Sequence, residues 1–235
     1  MSTASARLPK LSHANAKQRS REGKASRIHD LLQSQVGDVG DKDVLDIGTG
    51  SGFIASFLAE RARSLLSVDV VDERVRHDFR FELVESEALP CEDESFDVVI
   101  SNHVVEHVDD QAKHLREIKR VLRRDGVCYL ATPNRFSLIE PHFKLPFLSW
   151  LPPGMRDGYV RVAGRGSRYD VRPLTMGRLR ALASTAGLRV EDLSTEVAAA
   201  VLSRRLALSW VRGVGLLHGL YPSFVVMLRR PDATA

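Results

Sequence analysis

The chain has 235 residues, 43% of them hydrophobic and 27% charged, with a formal net charge of +4. That is enough apolar residue for one α/β-sized core, and it excludes a disordered chain, a collagen-like chain and a small disulfide scaffold. The two cysteines, Cys91 and Cys128, sit in no CxxC or Cys/His cluster, so buried or reduced thiols are expected rather than a disulfide framework or a zinc site.

The charge is unevenly placed. Arg7, Lys10, Lys17, Arg19, Arg21, Lys24 and Arg27 face the single acid Glu22 within the first 27 residues, a basic tail able to touch nucleic acid, an anionic surface or a charged substrate. No aromatic residue is interleaved with these charges, so the base-stacking pattern of single-strand binders is missing. The first twenty residues lack the apolar core of a signal peptide, and no apolar run reaches the roughly 18–20 uncharged residues of a membrane span. A cytoplasmic protein is expected.

A single domain is expected over 28–235. Ile28, Leu31, Leu32 and Val36 recur at helical spacing until Gly37 stops them. Short apolar runs then alternate with helical stretches, the pattern of a parallel sheet covered by helices on both faces. Strands are predicted at 43–47, 65–70, 80–84, 96–101 and 127–131, and helices at 53–62 and 110–123. A proline- and aromatic-rich stretch at 133–173 reads as an insertion that forms a lid or substrate wall. Thr175 is placed as the N-cap of a helix ending near Gly187, with strands at 188–193 and 223–228. Between them, 197–221 is apolar and interrupted by Arg204, Arg205, Arg212 and His218. It fits a core or dimer helix, the cover of an apolar pocket, or an interfacial membrane helix.

Val44-Leu45-Asp46-Ile47-Gly48-Thr49-Gly50-Ser51-Gly52-Phe53 carries the chemistry: an apolar strand, a glycine turn, then a helix. The spacing is GxGxG, and Phe53 stands where a dinucleotide fingerprint needs its third glycine. Asp46 places a carboxylate near the carboxyl end of its strand, suited to a ligand amine and repellent to a pyrophosphate. Asp69 ends the next strand, where an acid accepts both hydroxyls of a ribose.

On these features the chain resembles the class I S-adenosylmethionine-dependent methyltransferases, in the broad group that includes the ubiquinone and menaquinone enzymes. The resemblance implies a Rossmann-like, doubly wound, mostly parallel seven-stranded sheet with helices on both faces and a lid insertion after the fifth strand. It implies that Asp46, Gly48, Thr49, Gly50 and Gly52 hold the methionine part of S-adenosylmethionine and that Asp69 takes the ribose. Glu85-Ser86-Glu87-Ala88-Leu89-Pro90 matches a further family motif, so Glu85 and Ser86 would face the adenine. Asn102 and His103 would lie near the transferred methyl, just before the matching Glu106-His107-Val108.

A small-molecule acceptor is expected, methylated on an oxygen of an aromatic, sugar-like or prenylated and lipid-linked compound, with S-adenosyl-L-homocysteine as product. His103 and His142 are the candidate bases, because imidazole titrates near physiological pH. His107 reads as structural, and Tyr159 and Tyr169 are weaker candidates, as residues that pack or close a pocket. No metal-ligand spacing is present, so no metal is expected. A peripheral membrane contact and a homodimer stay open, DNA is not expected, and RNA is the weaker partner. The rivals are an RNA or protein methyltransferase using the basic tail, and a non-catalytic protein that binds S-adenosylmethionine without turnover.

Overall fold

The structure is a computed structural model that describes residues 11–206 and 221–231, with side chains described over 20–200 and 221–231. Seven strands form one sheet: β1 Asp43–Ile47, β2 Ser64–Asp69, β3 Arg80–Leu83, β4 Phe96–Asn102, β5 Leu122–Pro133, β6 Arg189–Asp192 and β7 Ser223–Arg229. Their order is β3-β2-β1-β4-β5-β7-β6. The first five pair in parallel, and β7 runs antiparallel to β5 and β6. The mostly parallel seven-stranded sheet expected from the sequence is therefore the sheet observed.

The strands are apolar because helices cover both faces, and the two-residue repeat sends successive side chains into opposite cores. Leu45, Leu66, Val99, Cys128 and Leu130 enter one core. Val44, Leu65, Val98, Val127 and Tyr129 enter the other. Leu115 and Ile118 of α3 (Gln111–Val121) and Leu179 and Leu182 of α5 (Met176–Thr185) close the first. Ile28 and Leu32 of α1 (Leu11–Val36) close the second with Ala55 and Leu58 of α2 (Phe53–Ala59). The strand order reverses between β1 and its neighbours β2 and β4, and a crevice outside the strand ends at such a point is where open α/β sheets bind ligands.

Local chemistry sets the element ends. Gly37 stops α1 in the left-handed region at φ 76°, donating its N–H to the Gln33 carbonyl at 3.0 Å. The boundary expected between a tail and a domain at residue 27 falls inside α1, because Ala25 lies on the same buried stripe as Ile28 and Leu32. Asp110 caps α3 by accepting the Lys113 N–H at 2.9 Å, and Thr175 caps α5 from the Arg178 N–H at 3.1 Å. β5 begins at Leu122, within the span expected to be helical, because Leu122 takes up extended backbone and pairs with Phe96 before a register shift.

The 133–173 insertion has a small core of its own, Leu145, Leu148, Val160, Tyr169 and Val171, partly carried by α4 (Pro153–Val162). Its two ends meet where Arg135 donates its N–H to the Leu174 carbonyl at 2.9 Å. The apolar stretch expected at 197–221 starts within α6 (Ser194–Leu206), and residues 207–220 lie outside the described residues. Among the described residues no helix is long and apolar enough to cross a membrane.

Candidate active site

The glycine turn between β1 and α2 leaves the backbone exposed to a ligand for a steric reason. Gly48 has φ 81°, and a Cβ there would overlap the Val104 side chain of the loop after β4. Gly50, at φ 49°, donates its N–H to Asp69 Oδ2 at 2.8 Å, while Asp69 Oδ1 accepts the Val70 N–H at 2.7 Å. The carboxylate that ends β2 is thus tied to the turn that ends β1; Oδ1 also accepts the Val71 N–H at 3.4 Å, and Oδ2 keeps a second lone pair for a ligand hydroxyl.

These groups open onto a cavity of about 820 Å³, within the usual range for a small-molecule site. Of the residues singled out in the sequence, Gly48, Thr49, Gly50, Asp69, Glu85, Ser86, Asn102 and His103 line it. Asp46 and Gly52 do not. Asp46 is 2% exposed and lies behind the turn, where β-register sets it beside Ser67, whose Oγ donates to Asp46 Oδ2 at 2.8 Å. The same Ser67 Oγ is 2.6 Å from Thr49 Oγ1, so Asp46 reaches the turn through a hydroxyl pair rather than facing the cavity directly. Burial pushes the Asp46 carboxyl up to about 7, with Ser67 opposing and Asp69 adding to the rise. Gly52 instead packs against the Arg76 carbonyl and the Phe79 ring, a contact that supports α2.

Sequence reasoning missed Arg21, Lys24 and His114 on the same wall. Arg21 and Lys24 continue the three- and four-residue stripe of Ala25, Ile28 and Leu32, a signal that was available in the helical spacing. The Lys24 ammonium is pushed below the usual lysine range by burial and by Arg27, with Glu106 opposing. His114 is buried, lies 3.0 Å from Ser101 Oγ, and is pushed down to about 4 by burial, so it stays neutral. Phe53, the misfit for a dinucleotide turn, has the Arg21 and Arg76 guanidiniums 5.3 Å and 5.4 Å from its ring centroid.

At the β4 end of the cavity Asn102 Oδ1 is buried with no hydrogen-bond partner among the described residues. A buried acceptor left unpaired is costly, which marks it as a group awaiting a ligand donor. The next residue, His103, has φ 62°, a backbone conformation that side-chain-bearing residues adopt rarely and that clusters at functional sites. Its Nδ1 is 3.0 Å from Glu106 Oε1. Glu106 is fully buried, and its Oε2 accepts from Thr132 Oγ1 at 3.1 Å.

The insertion reaches this point too. His142 Nδ1 is 3.0 Å from Glu140 Oε1, and its Nε2 is 3.7 Å from Glu106 Oε1. The His142 ring stands edge-on to His107, with centroids 5.1 Å apart. Both candidate bases therefore converge on Glu106, although His142 belongs to a segment remote in sequence. Tyr169 is buried in the insertion core, its hydroxyl 3.4 Å from Ser149 Oγ and pushed up to about 12 by burial, and Tyr159 packs in the same cluster. Both tyrosines pack, as expected.

Residues 45–130 match the family described as a methyltransferase domain. A probable S-adenosylmethionine-dependent methyltransferase of Mycobacterium tuberculosis is 39% identical over 102 residues, 41% of this chain, and the chain spans 37% of that protein's length. A ubiquinone biosynthesis O-methyltransferase of Pseudomonas aeruginosa is 28% identical over 74% of this chain and 78% of its own. Among solved structures, an S-adenosylmethionine-dependent methyltransferase of Mesorhizobium loti superposes with a TM-score of 0.60 at 16% identity, covering 86% of this chain and 96% of that one, a likeness of fold. Glycine turn and sequence agree in their likeness to the S-adenosylmethionine-dependent methyltransferases, the sheet order agrees in fold, and the methyltransferase domain match covers residues 45–130.

Proposed function

We propose that the protein transfers a methyl group from S-adenosylmethionine to an oxygen of a small-molecule acceptor that enters between the 133–173 insertion and the carboxyl ends of β4 and β5. The observation that carries the cofactor reading is the orphaned Asn102 Oδ1, a buried acceptor on the cavity wall that fits the ammonium of the methionine moiety. Arg21 and Lys24 bring positive charge to the same wall for its carboxylate, and Asp69 accepts from the ribose. Glu85 and Ser86 line the same cavity and are assigned to the adenine.

When bound, the cofactor supplies a methyl group already activated by its sulfonium. The acceptor oxygen forms the new bond to carbon, the carbon–sulfur pair of electrons goes to sulfur, and the acceptor proton goes to a base. His103 is that base: it lines the cavity, and its Nδ1 is held by the buried Glu106, which orients the ring. Alignment and exclusion of water supply much of the remaining rate.

The placement of Arg21 and Lys24 on the cavity wall favours a small charged ligand over a nucleic-acid surface formed by the same basic segment. Calorimetric titration with S-adenosylmethionine and S-adenosylhomocysteine, with NAD as control, tests the cofactor. Both of the first should bind and NAD should not, and Asp69→Ala should weaken both by about tenfold or more, roughly the 1.5 kcal/mol of a charged hydrogen bond. Failure of both to bind, or equal binding of NAD, would overturn the reading.

A further inference from the structure

We propose that His103, Glu106 and His142 form a binding site for a divalent transition-metal ion, placed where the insertion meets the end of β4. One ligand atom from each of the three lies within 4.8 Å of the other two. The sequence offered no ligand spacing because the set is assembled from two segments, the turn after β4 and the insertion.

Three features distinguish this cluster from an ordinary group of surface histidines. The carboxylate is fully buried, and its second oxygen is already satisfied by Thr132, which leaves Oε1 as the atom directed at both imidazoles. His142 is held from behind: its Nδ1 sits 3.0 Å from Glu140 Oε1, and Glu140 is itself fully buried. A carboxylate behind a histidine that turns its other nitrogen forward is the usual outer support of a metal-binding imidazole. Finally, the forward nitrogen is 3.7 Å from Glu106 Oε1, too far for a hydrogen bond and close to the spacing of two ligands on one ion.

Ligands bound at about 2.1 Å lie roughly 3 to 3.4 Å apart. His103 Nδ1 and Glu106 Oε1 already meet that spacing at 3.0 Å, and His142 Nε2 stands 3.7 Å from Glu106 Oε1, a few tenths of an ångström beyond it. Two buried carboxylates, Glu106 and Glu140, concentrate negative charge around the two imidazoles, which suits the place to a cation. Lys24 on the cavity wall and Lys144 of the insertion are opposing charges there.

Two imidazoles and one carboxylate favour Zn²⁺, Co²⁺, Ni²⁺ or Fe²⁺ over Mg²⁺ and Ca²⁺, which prefer oxygen ligands. Three protein ligands leave positions open, as in sites that act on a bound water or hydroxyl. On the methyl-transfer reading above, His103 is the base of the metal-free protein; with an ion on its Nδ1, activation would pass to the ion, which would lower the pKa of a bound acceptor hydroxyl such as a phenol or one of two adjacent hydroxyls. Metal binding itself is tested without turnover.

The probe is Co²⁺ added to chelator-treated full-length protein, followed by calorimetry and by its visible absorption. We expect one equivalent bound with micromolar affinity, displaced by Zn²⁺ and not by millimolar Mg²⁺. His142→Ala should weaken binding at least tenfold, with a melting curve close to that of the parent. Glu140→Gln, which keeps the side-chain shape, should weaken it by about 10- to 100-fold as loss of an outer-shell partner does, and it decides the matter if His142→Ala fails to fold. Millimolar or non-stoichiometric binding, or affinity unchanged in both variants, would overturn the site. Loss of S-adenosylmethionine binding would instead strike the function proposed above and leave the metal result standing.

Discussion

The two ends of the cavity are built by opposite means. At the β1–β2 end, backbone does the work: a glycine turn, its amide on Asp69 and a sheet register that sets Asp46 beside Ser67. At the β4 end, side chains from separate segments converge on one buried carboxylate, Glu106, with His103 in a strained backbone beside it. The first arrangement is shape-limited and intolerant of added atoms. The second is chemistry-limited, so it should tolerate changes that keep the shape while losing function when a titratable group is removed.

The largest expected effect breaks the first end. Gly48→Ala would add a Cβ into Val104 while holding a residue at φ 81°, combining overpacking of about 1–3 kcal/mol with left-handed strain of about 1–2 kcal/mol. Urea unfolding should show a loss of about 3 kcal/mol. Adding Val104→Ala should recover the packing part and leave the strain. Full stability in the single variant would mean that the turn is not held against the β4 loop.

At the other end, His103→Asn keeps a residue that tolerates φ 62° and removes the imidazole. Turnover on the true acceptor should fall by about 10² or more, while affinity for S-adenosylmethionine stays within about threefold. Equal losses in both quantities would make His103 a structural residue of the turn, and the contrast between the two ends would collapse.

The same contrast governs what could be read from the sequence. The strands, the glycine turn and Asp69 were legible because they are local: an apolar run, a spacing of glycines and one acid at a strand end. The helix through residues 11–27 was less legible because charges dominate its composition. Its function-facing side shows only as Arg21 and Lys24 falling on the stripe of Ala25, Ile28 and Leu32. The direction of Asp46 was not legible, since strand pleat and the Ser67 hydroxyl decide it. The meeting of His103, Glu106 and His142 was beyond any spacing rule, because the fold of the insertion brings His142 back to the end of β4.

Asp46 gives the smallest and most specific test of the backbone-built end. Unfolded, its carboxyl ionises in the ordinary range near 3.8, and folded it ionises at about 7 because burial disfavours the charge. Between those values the folded chain holds the extra proton, so this group's contribution to stability is present below about 4 and is lost as pH rises toward 7. A ligand that brings positive charge to the turn favours the ionised form, which reverses the sign for binding. Affinity for S-adenosylmethionine should therefore increase from pH 6 to pH 8, by at most about tenfold per unit, with release of a fraction of a proton. Calorimetry in two buffers of different ionisation enthalpy measures that proton directly. Asp46→Asn should flatten the slope and abolish the release while keeping the hydrogen bond from Ser67. A slope that survives in this variant would assign the proton to another group on the wall and leave Asp46 as a support of the turn alone.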